Sequence, residues 1–365
     1  MNVLMIVRSN WLDTPGGDTI QIKMTAKYLR ELGVSVDICP ANTKQDYNKY
    51  SLIHFFNIIR PDDILPHINH DVPFVVSTIF VDYSEYERLN RTGIAGSLFR
   101  FFAPGVIEYI KAVARWAKNG DEIKSSYYLT HGHDASIRKI AARAKLLLPN
   151  SHSEYKRFRN YINLDVKYRK VVNAIDTKTF DDQAVPNELY RDHVLCVGRI
   201  EGRKNQLNLI KAMQGTGIPL TIIGKASPNH VGYYEECKAL AAKTTNVSFI
   251  EHISHDDLVK IYAAAKVHVL PSWFETTGLS SLEAGAMSCN LVVTRKGDTE
   301  EYFSDMAYYC DPADIESIRT QVVEAFQEEV NPRLKKHILA NCTWQLAAEQ
   351  TLEAYREVLP ETSKI

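Results

Sequence analysis

The chain has 365 residues, long for a single hydrophobic core, which suggests two domains. Its 43 basic and 44 acidic residues lack the basic surplus of a general nucleic-acid binder, and 45% hydrophobic with 24% charged residues is the profile of a soluble globular protein. No apolar run approaches the ~20 residues that cross a bilayer, and the start "MNVLMIVRSN" lacks a basic n-region and a small-residue cleavage site, so a cytoplasmic protein is expected.

From the N-terminus, "NVLMIV" (2–7) is a predicted strand, followed by the loop "RSNWLDTPGGD". A helix follows from Asp18, a candidate N-cap, with Ile22, Ala26 and Leu29 at helical spacing and Gly33 at its end. "VSVDIC" (34–39), "LIHFF" (52–56), "PFVVST" (73–78) and "KLLLPNS" (145–151) read as further strands, with a mostly helical stretch at 85–144 before the last. The polar, Pro-containing segment "DDQAVPNELYRD" (181–192) reads as an interdomain linker. Beyond it the predicted strands are "HVLCVGRI" (193–200), "PLTIIG" (219–224), "VSFI" (247–250), "KVHVLPS" (266–272), "NLVVTR" (290–295) and "MAYYCDP" (306–312). Predicted helices at 205–213, 231–242, 255–265 and 279–289 alternate with them. Continuous apolar strands separated by helices imply parallel sheets covered on both faces. The fold class is therefore α/β, with two doubly wound Rossmann-like domains at 1–180 and 193–342 and a closing helix within 343–365. The six cysteines form no C-x-x-C pair, and several lie in strand-like runs, which favours buried reduced thiols.

In doubly wound sheets ligands bind beyond the carboxyl ends of the strands, where loops enter helix N-termini. That rule selects the segments 8–18, 198–205, 273–279 and 296–300. In "VGRIEGRKNQ" the cations Arg199 and Lys204 flank a turn with little bulk at Gly198 and Gly202, just before a helix. Such a turn suits a diphosphate, since backbone N–H groups and the helix dipole add to the side-chain charge. By itself it equally fits a solvated basic turn. In "WFETTGLSSLEAGAM" the break at Gly278 brings the amides of Thr277, Gly278 and Leu279 toward a ligand. Helical side chains lean toward the N-terminus, so Glu283, one turn in, can reach the same crevice and accept from two vicinal ribose hydroxyls. Glu275, in the loop, can hold hydroxyls of a second sugar unit. In "TPGGDT", Gly16 and Gly17 precede a helix, as either a ligand-approach site or a plain loop-to-helix turn.

These motifs, in this order, resemble the retaining nucleotide-sugar-dependent glycosyltransferases of the GT-B fold, specifically family four. The resemblance runs over nearly the whole chain, through "PGGDTIQIKMTAKYLRELGVSVDI", "LLPNSHSE", "VVNAIDTKTF", "VGRIEGRKN", "PSWFETTGLSSLEAGAMSCNLVVT" and the closing "TWQLAAEQTLEAYREVL". It implies two domains facing a cleft, an acceptor side in the first and a nucleotide-sugar side in the second, with the final helix crossing back to the first. It further implies that Arg199 and Lys204 hold the donor diphosphate, Glu275 contacts the transferred sugar and Glu283 the ribose. Gly198, Thr276, Thr277, Gly278 and Leu279 would line the donor, with Gly16 and Gly17 across the cleft. No metal or other cofactor is implied, the UDP- or GDP-linked donor being a substrate. The implied activity is hexosyl transfer to a glycan or lipid-linked glycan, in surface polysaccharide biosynthesis.

Two departures stand out. Many relatives carry a histidine just after the fourth strand, whereas the window "STIFVDYSEY" (77–86) has none and offers Asp82 as the candidate acceptor-activating group. The family's Asn-Gly turn is Asn173-Ala174 here, which implies a changed turn. His131 and His133 in "LTHGHDAS" read either as ligands or as part of a polar loop ahead of a helix capped by Asp134. Residues 91–118 carry Arg91, Arg100, Lys111, Arg115 and Lys118 against Glu108, which fits either docking on an anionic membrane or helices with a solvated basic face. Two other functions remain open on sequence: a sugar-nucleotide epimerase of the same fold, and a non-catalytic nucleotide-sugar-binding scaffold.

Overall fold

The computed structural model describes the chain except residues 13–15, 91–103, 120–122, 182 and 360–365. It divides into two compact units, Met1–Asn173 with Trp344–Ile365, and Ala174–Thr343.

The first unit is built on five parallel strands: β1 (Asn2–Val7), β2 (Ser35–Pro40), β3 (Leu52–Phe56), β4 (Phe74–Ser77) and β5 (Leu146–Leu147), in the spatial order β2-β1-β3-β4-β5. Register follows the apolar runs, with Val3 opposite both Val36 and Leu52, and Ile53 opposite Phe74. Both faces are covered, so "LIHFF" is buried along its whole length. The helix Gly17–Glu31 buries Ile22, Ala26 and Leu29, the stripe expected from their spacing. The region anticipated as mostly helical contains Ser84–Asn90, Pro104–Asn119 and Ser126–Arg143.

The closing helix Trp344–Val358 belongs to this unit and packs against Gly17–Glu31. Arg169 pairs with Glu353 and Glu357, and Val172 donates its N–H to Gln350 Oε1 at 2.9 Å. At the buried face His54 Nδ1 lies 2.7 Å from the Tyr355 hydroxyl and Nε2 lies 2.8 Å from Ser77 Oγ. Burial holds the His54 imidazole far below its ordinary range, at about 3, so it is neutral there.

The second unit contains β6 (Val194–Val197), β7 (Leu220–Ile223), β8 (Val247–Ile250), β9 (Val267–Leu270), β10 (Asn290–Thr294) and β11 (Tyr308–Cys310), all parallel, in the order β11-β10-β9-β6-β7-β8. The chain runs outward from β6 through β7 to β8, then returns to place β9 on the other side of β6. The strand order therefore reverses between β6 and β9, which opens a crevice at their carboxyl ends. In the first unit the same reversal falls between β1 and β3.

The chain enters the second unit at Ala174, ahead of the segment 181–192 expected as the linker. Ile175 and Phe180 are buried in the second unit's core, which is why the crossing comes earlier. The described residues of 181–192 are instead part of that unit, with a short helix at Glu188–Tyr190 and the Asn187 N–H donating to Lys260 O. Ala174 is buried and keeps a negative φ, so the Asn173-Ala174 turn carries its methyl without strain. All six cysteines are free thiols, and five are buried.

Candidate functional site

The crevice of the second unit is formed by three loops. The loop after β6 carries Arg199, Glu201, Arg203 and Lys204; the loop after β9 carries Glu275 to Gly278; the loop after β10 carries Lys296 to Asp298. Gly278, at φ 74°, starts the helix Leu279–Ala286, a conformation that residues with a Cβ rarely adopt. Gly297 lies directly on the backbone of Glu275: the two form a parallel bridge, and a Cβ on Gly297 would stand 1.9 Å from the Glu275 carbonyl oxygen. Glu275 is held on both sides, its N–H donating to Lys296 O at 3.1 Å and its carbonyl accepting from the Asp298 N–H at 2.9 Å. Its backbone position is therefore set by a neighbouring loop.

The structure brings Lys204 and Glu275 together as an ion pair, both largely buried. Arg199 is half exposed and stands 3.8 Å from Glu201 Oε1. Glu201 is 2% exposed and also meets Arg203 at 3.2 Å and the Ser227 hydroxyl at 3.1 Å. Burial alone would raise the Glu201 pKa, but the charges of Arg203, Arg199 and Lys204 outweigh it and hold it below the usual carboxylate value. Glu201 thus anchors the cation cluster from beneath. The sequence reading gave it no role; its one local signal is an acid set between Arg199 and Arg203. Asn205 was also without a role. It sits at φ 64°, and its side-chain amide donates to Pro271 O at 3.1 Å and Pro312 O at 2.8 Å, tying the start of the helix Gln206–Met213 to the loop after β9.

Glu283 stands one turn into Leu279–Ala286, as expected, and is partly buried. Enough protein surrounds its carboxyl to push its pKa up to about 7, opposed by a 3.3 Å hydrogen bond from the Tyr262 hydroxyl to Oε2. Thr276 and Leu279 are partly exposed, whereas the Thr277 side chain is fully buried, with no partner for its hydroxyl among the described residues. Contact from Thr277 to a ligand therefore falls to its backbone. The N–H groups of Leu279 and Ser280, in the first helical turn, have no intrahelical acceptor. Gly198 directly follows β6, its N–H donating to Ile223 O at 3.0 Å.

In the first unit Gly16 caps the helix Gly17–Glu31 in an extended conformation, its N–H donating to Thr19 Oγ1 at 3.3 Å. Arg8, buried at the end of β1, pairs with Asp18 at 2.7 Å beside this turn. Asp82 is exposed and accepts from the Ser84 N–H at 2.9 Å, so the structure uses it to start the helix Ser84–Asn90. His131 and His133 lie within the helix Ser126–Arg143, capped by Ser125 and kinked at Gly132, rather than in a loop ahead of it. His133 is buried against the Tyr128 hydroxyl, while His131 stacks on Tyr127. Among the described residues no three His, Cys, Asp or Glu side chains group as metal ligands would, and no helix is long and apolar enough to cross a membrane.

Residues 178–339, the span that holds this crevice, match the family model described as Glycosyl transferases group 1. The O-antigen chain mannosyltransferase B of Escherichia coli is 27% identical over 46% of this chain and 46% of its own length. The GDP-mannose-dependent monoacylated alpha-(1-6)-phosphatidylinositol monomannoside mannosyltransferase of Corynebacterium glutamicum is 23% identical over 60% of this chain and 67% of its own. The first match thus spans about half the length of that relative. Among solved structures, sucrose-phosphate synthase from Thermosynechococcus elongatus superposes with a TM-score of 0.74 at 15% identity, covering 98% of this chain and 99% of that one. The fold is that of the GT-B glycosyltransferases.

Proposed function

We propose that the chain is a glycosyltransferase of the hexosyltransferase class, moving a sugar from a nucleoside-diphosphate donor to a glycan or lipid-linked glycan acceptor with retention at the anomeric carbon. One observation carries this reading. Lys204 and Glu275 meet at the strand-order reversal of a region matching a glycosyltransferase family, with Arg199 in the same loop as Lys204 and Glu283 in the helix after Glu275. Arg199 and Lys204 neutralise the leaving diphosphate together with first-turn N–H groups, a job that needs no metal. Glu275 accepts from hydroxyls of the transferred sugar, and Glu283 from the ribose.

In the step proposed, the bond from the anomeric carbon to the phosphate oxygen breaks while the acceptor oxygen bonds to the same face. The acceptor proton passes to the departing phosphate oxygen, so no covalent intermediate forms on Glu275. The names of the two mannosyltransferase relatives favour a surface or membrane-linked glycan as acceptor, and the second favours a GDP-linked donor.

Calorimetric titration with UDP, GDP, ADP and their sugar conjugates, on wild type and Glu283→Ala, tests the reading. Tight binding of one nucleotide, lost in the variant, supports it and names the base. Absence of binding to all of them overturns it, binding without hydrolysis or transfer to any acceptor would favour the scaffold, and conversion of donor without acceptor would favour an epimerase.

A second reading concerns location. The helix Pro104–Asn119 exposes Val106, Ile110 and Trp116, in a stretch (91–118) with five basic residues and one acid, of which 91–103 lie outside the described residues. Exposed apolar side chains in a stretch rich in cations fit docking on an anionic lipid surface. Co-sedimentation with anionic but not neutral vesicles, weakened by Trp116→Ser, is the expected result.

A further inference from the structure

Tyr262 has no place in the reading above, yet its position is unusual. It lies on the helix His255–Ala264, which packs beside Leu279–Ala286, and its side chain is 0% exposed. A buried phenol needs a partner for its hydroxyl, and among the described residues that partner is the Glu283 carboxylate, 3.3 Å away. The ring cannot easily turn elsewhere: His268 and Phe180 flank it, with ring centres at 6.1 Å and 6.3 Å, and its backbone carbonyl accepts from the Cys289 thiol at 3.3 Å.

An ionised carboxylate only accepts hydrogen bonds, and its two oxygens offer about four acceptor positions. The Tyr262 hydroxyl occupies one of those on Oε2 and leaves the others open. We propose that Tyr262 is the positioning residue of nucleoside recognition, orienting Glu283 and favouring its acceptor-only form so that it takes both hydroxyls of a ribose diol. This rests on the donor-site reading and adds to it a residue on a different helix.

The surrounding groups leave this pair to titrate on its own. His268 on β9 is held down to about 3 by burial and by the Lys204 charge, and so is neutral near pH 7. Burial pushes the thiols of Cys196 on β6 and of Cys289 behind the helix up to about 12. Lys204, in the loop after β6, is paired with Glu275. Burial pushes Glu283 toward its protonated form, and the hydrogen bond from Tyr262 opposes that push. A protonated Glu283 would present an O–H where a ribose hydroxyl must donate. Nucleotide affinity should therefore rise with pH through the Glu283 titration, and Tyr262 should set its midpoint.

The test is calorimetric titration of the full chain with UDP and GDP and with their 2′-deoxy counterparts, from pH 5.5 to pH 8.5, on wild type, Tyr262→Phe, Glu283→Gln and the double variant. In Tyr262→Phe the midpoint is expected to move to higher pH, with affinity for the ribonucleotide at pH 7 falling about fivefold, the scale of one long hydrogen bond to a charged group. The 2′-deoxy nucleotide, which lacks one of the two hydroxyls, should lose less. Glu283→Gln should abolish the pH dependence, and adding Tyr262→Phe to it should cost nothing further. An unmoved midpoint with equal loss for both sugars would mean that Tyr262 merely packs, and overturns the inference alone. Failure of wild type to bind any nucleoside diphosphate overturns the donor-site reading, and this inference with it.

Discussion

Glu154 in the first unit and Glu275 and Glu283 in the second are all carboxylates drawn away from solvent, but their surroundings differ. Glu154, fully buried, accepts from the Thr78 hydroxyl, from the Phe80 N–H at 2.7 Å and from the Asn150 N–H at 2.7 Å. Two of those donors straddle Ile79, a β-branched residue at φ 46°, so the carboxylate holds a strained turn at the end of β4. Glu275 has its ion pair with Lys204, and Glu283 a single long hydrogen bond from Tyr262. A carboxylate with its acceptor positions filled by its own chain is structural. One drawn into a crevice with positions to spare has capacity for ligand hydroxyls.

The contrast can be broken at Glu154. Glu154→Ala strands the Thr78 hydroxyl and two N–H groups, so it is expected to cost about 3–5 kcal/mol in urea denaturation. Stability unchanged in that variant would remove the distinction altogether. Lys204→Ala probes the other side: turnover should fall about 10²–10³-fold with a smaller loss of donor affinity, since the cation acts mainly on charge that develops on the leaving group. Steady-state rates against donor concentration separate the two.

Glu283→Gln sharpens the comparison. The folded pKa of Glu283, about 7, lies above the ordinary 4.5, so its contribution to stability is fully present below 4.5 and is lost as pH rises through 7. At pH 8 the glutamine variant is expected to be more stable than wild type, by about 2–3 kcal/mol in denaturant titration, while binding donor less well. Equal stability at pH 8 would place the Glu283 carboxyl in ordinary water.

The smallest effect is expected at the closing helix. Tyr355→Phe leaves His54 Nδ1 unpaired and should cost about 1–2 kcal/mol. Because the folded pKa of His54, about 3, is below the ordinary 6.5, its contribution is present above 6.5 and is lost progressively as pH falls toward 3. Thermal melts of His54→Gln should therefore show a weaker decline than wild type over that acid range.

Much of the architecture was legible from local pattern. The apolar runs at 2–7, 52–56, 193–200 and 290–295 became β1, β3, β6 and β10, and the stripe Ile22, Ala26 and Leu29 became a buried helix face. Glu275 and Glu283 could be picked out because the strand, the Gly278 break and the following helix lie within one short segment. Short pieces were harder: "KLLLPNS" retains only Leu146–Leu147 as strand, paired with Val75 and Val76 of β4. His131 and His133 looked like loop residues because Gly132 interrupts the helical pattern, although the chain continues as helix on both sides of the kink.

Residue types and their periodicity determined by themselves that this chain makes two parallel sheets wrapped by helices, and where the loops at their carboxyl ends carry charge. Those are consequences of backbone geometry and of apolar spacing over a few residues. Only the tertiary structure decided which buried polar groups are satisfied. The partners are remote in sequence: Lys204 and Glu275 are 71 residues apart, Asn205 and Pro312 107, and His54 and Tyr355 301. It also decided that the chain enters the second unit at Ala174, because Ile175 and Phe180 find their apolar neighbours there. Hydrogen-bond satisfaction and core membership depend on which groups the folded chain brings together, and no short window of residues contains both partners.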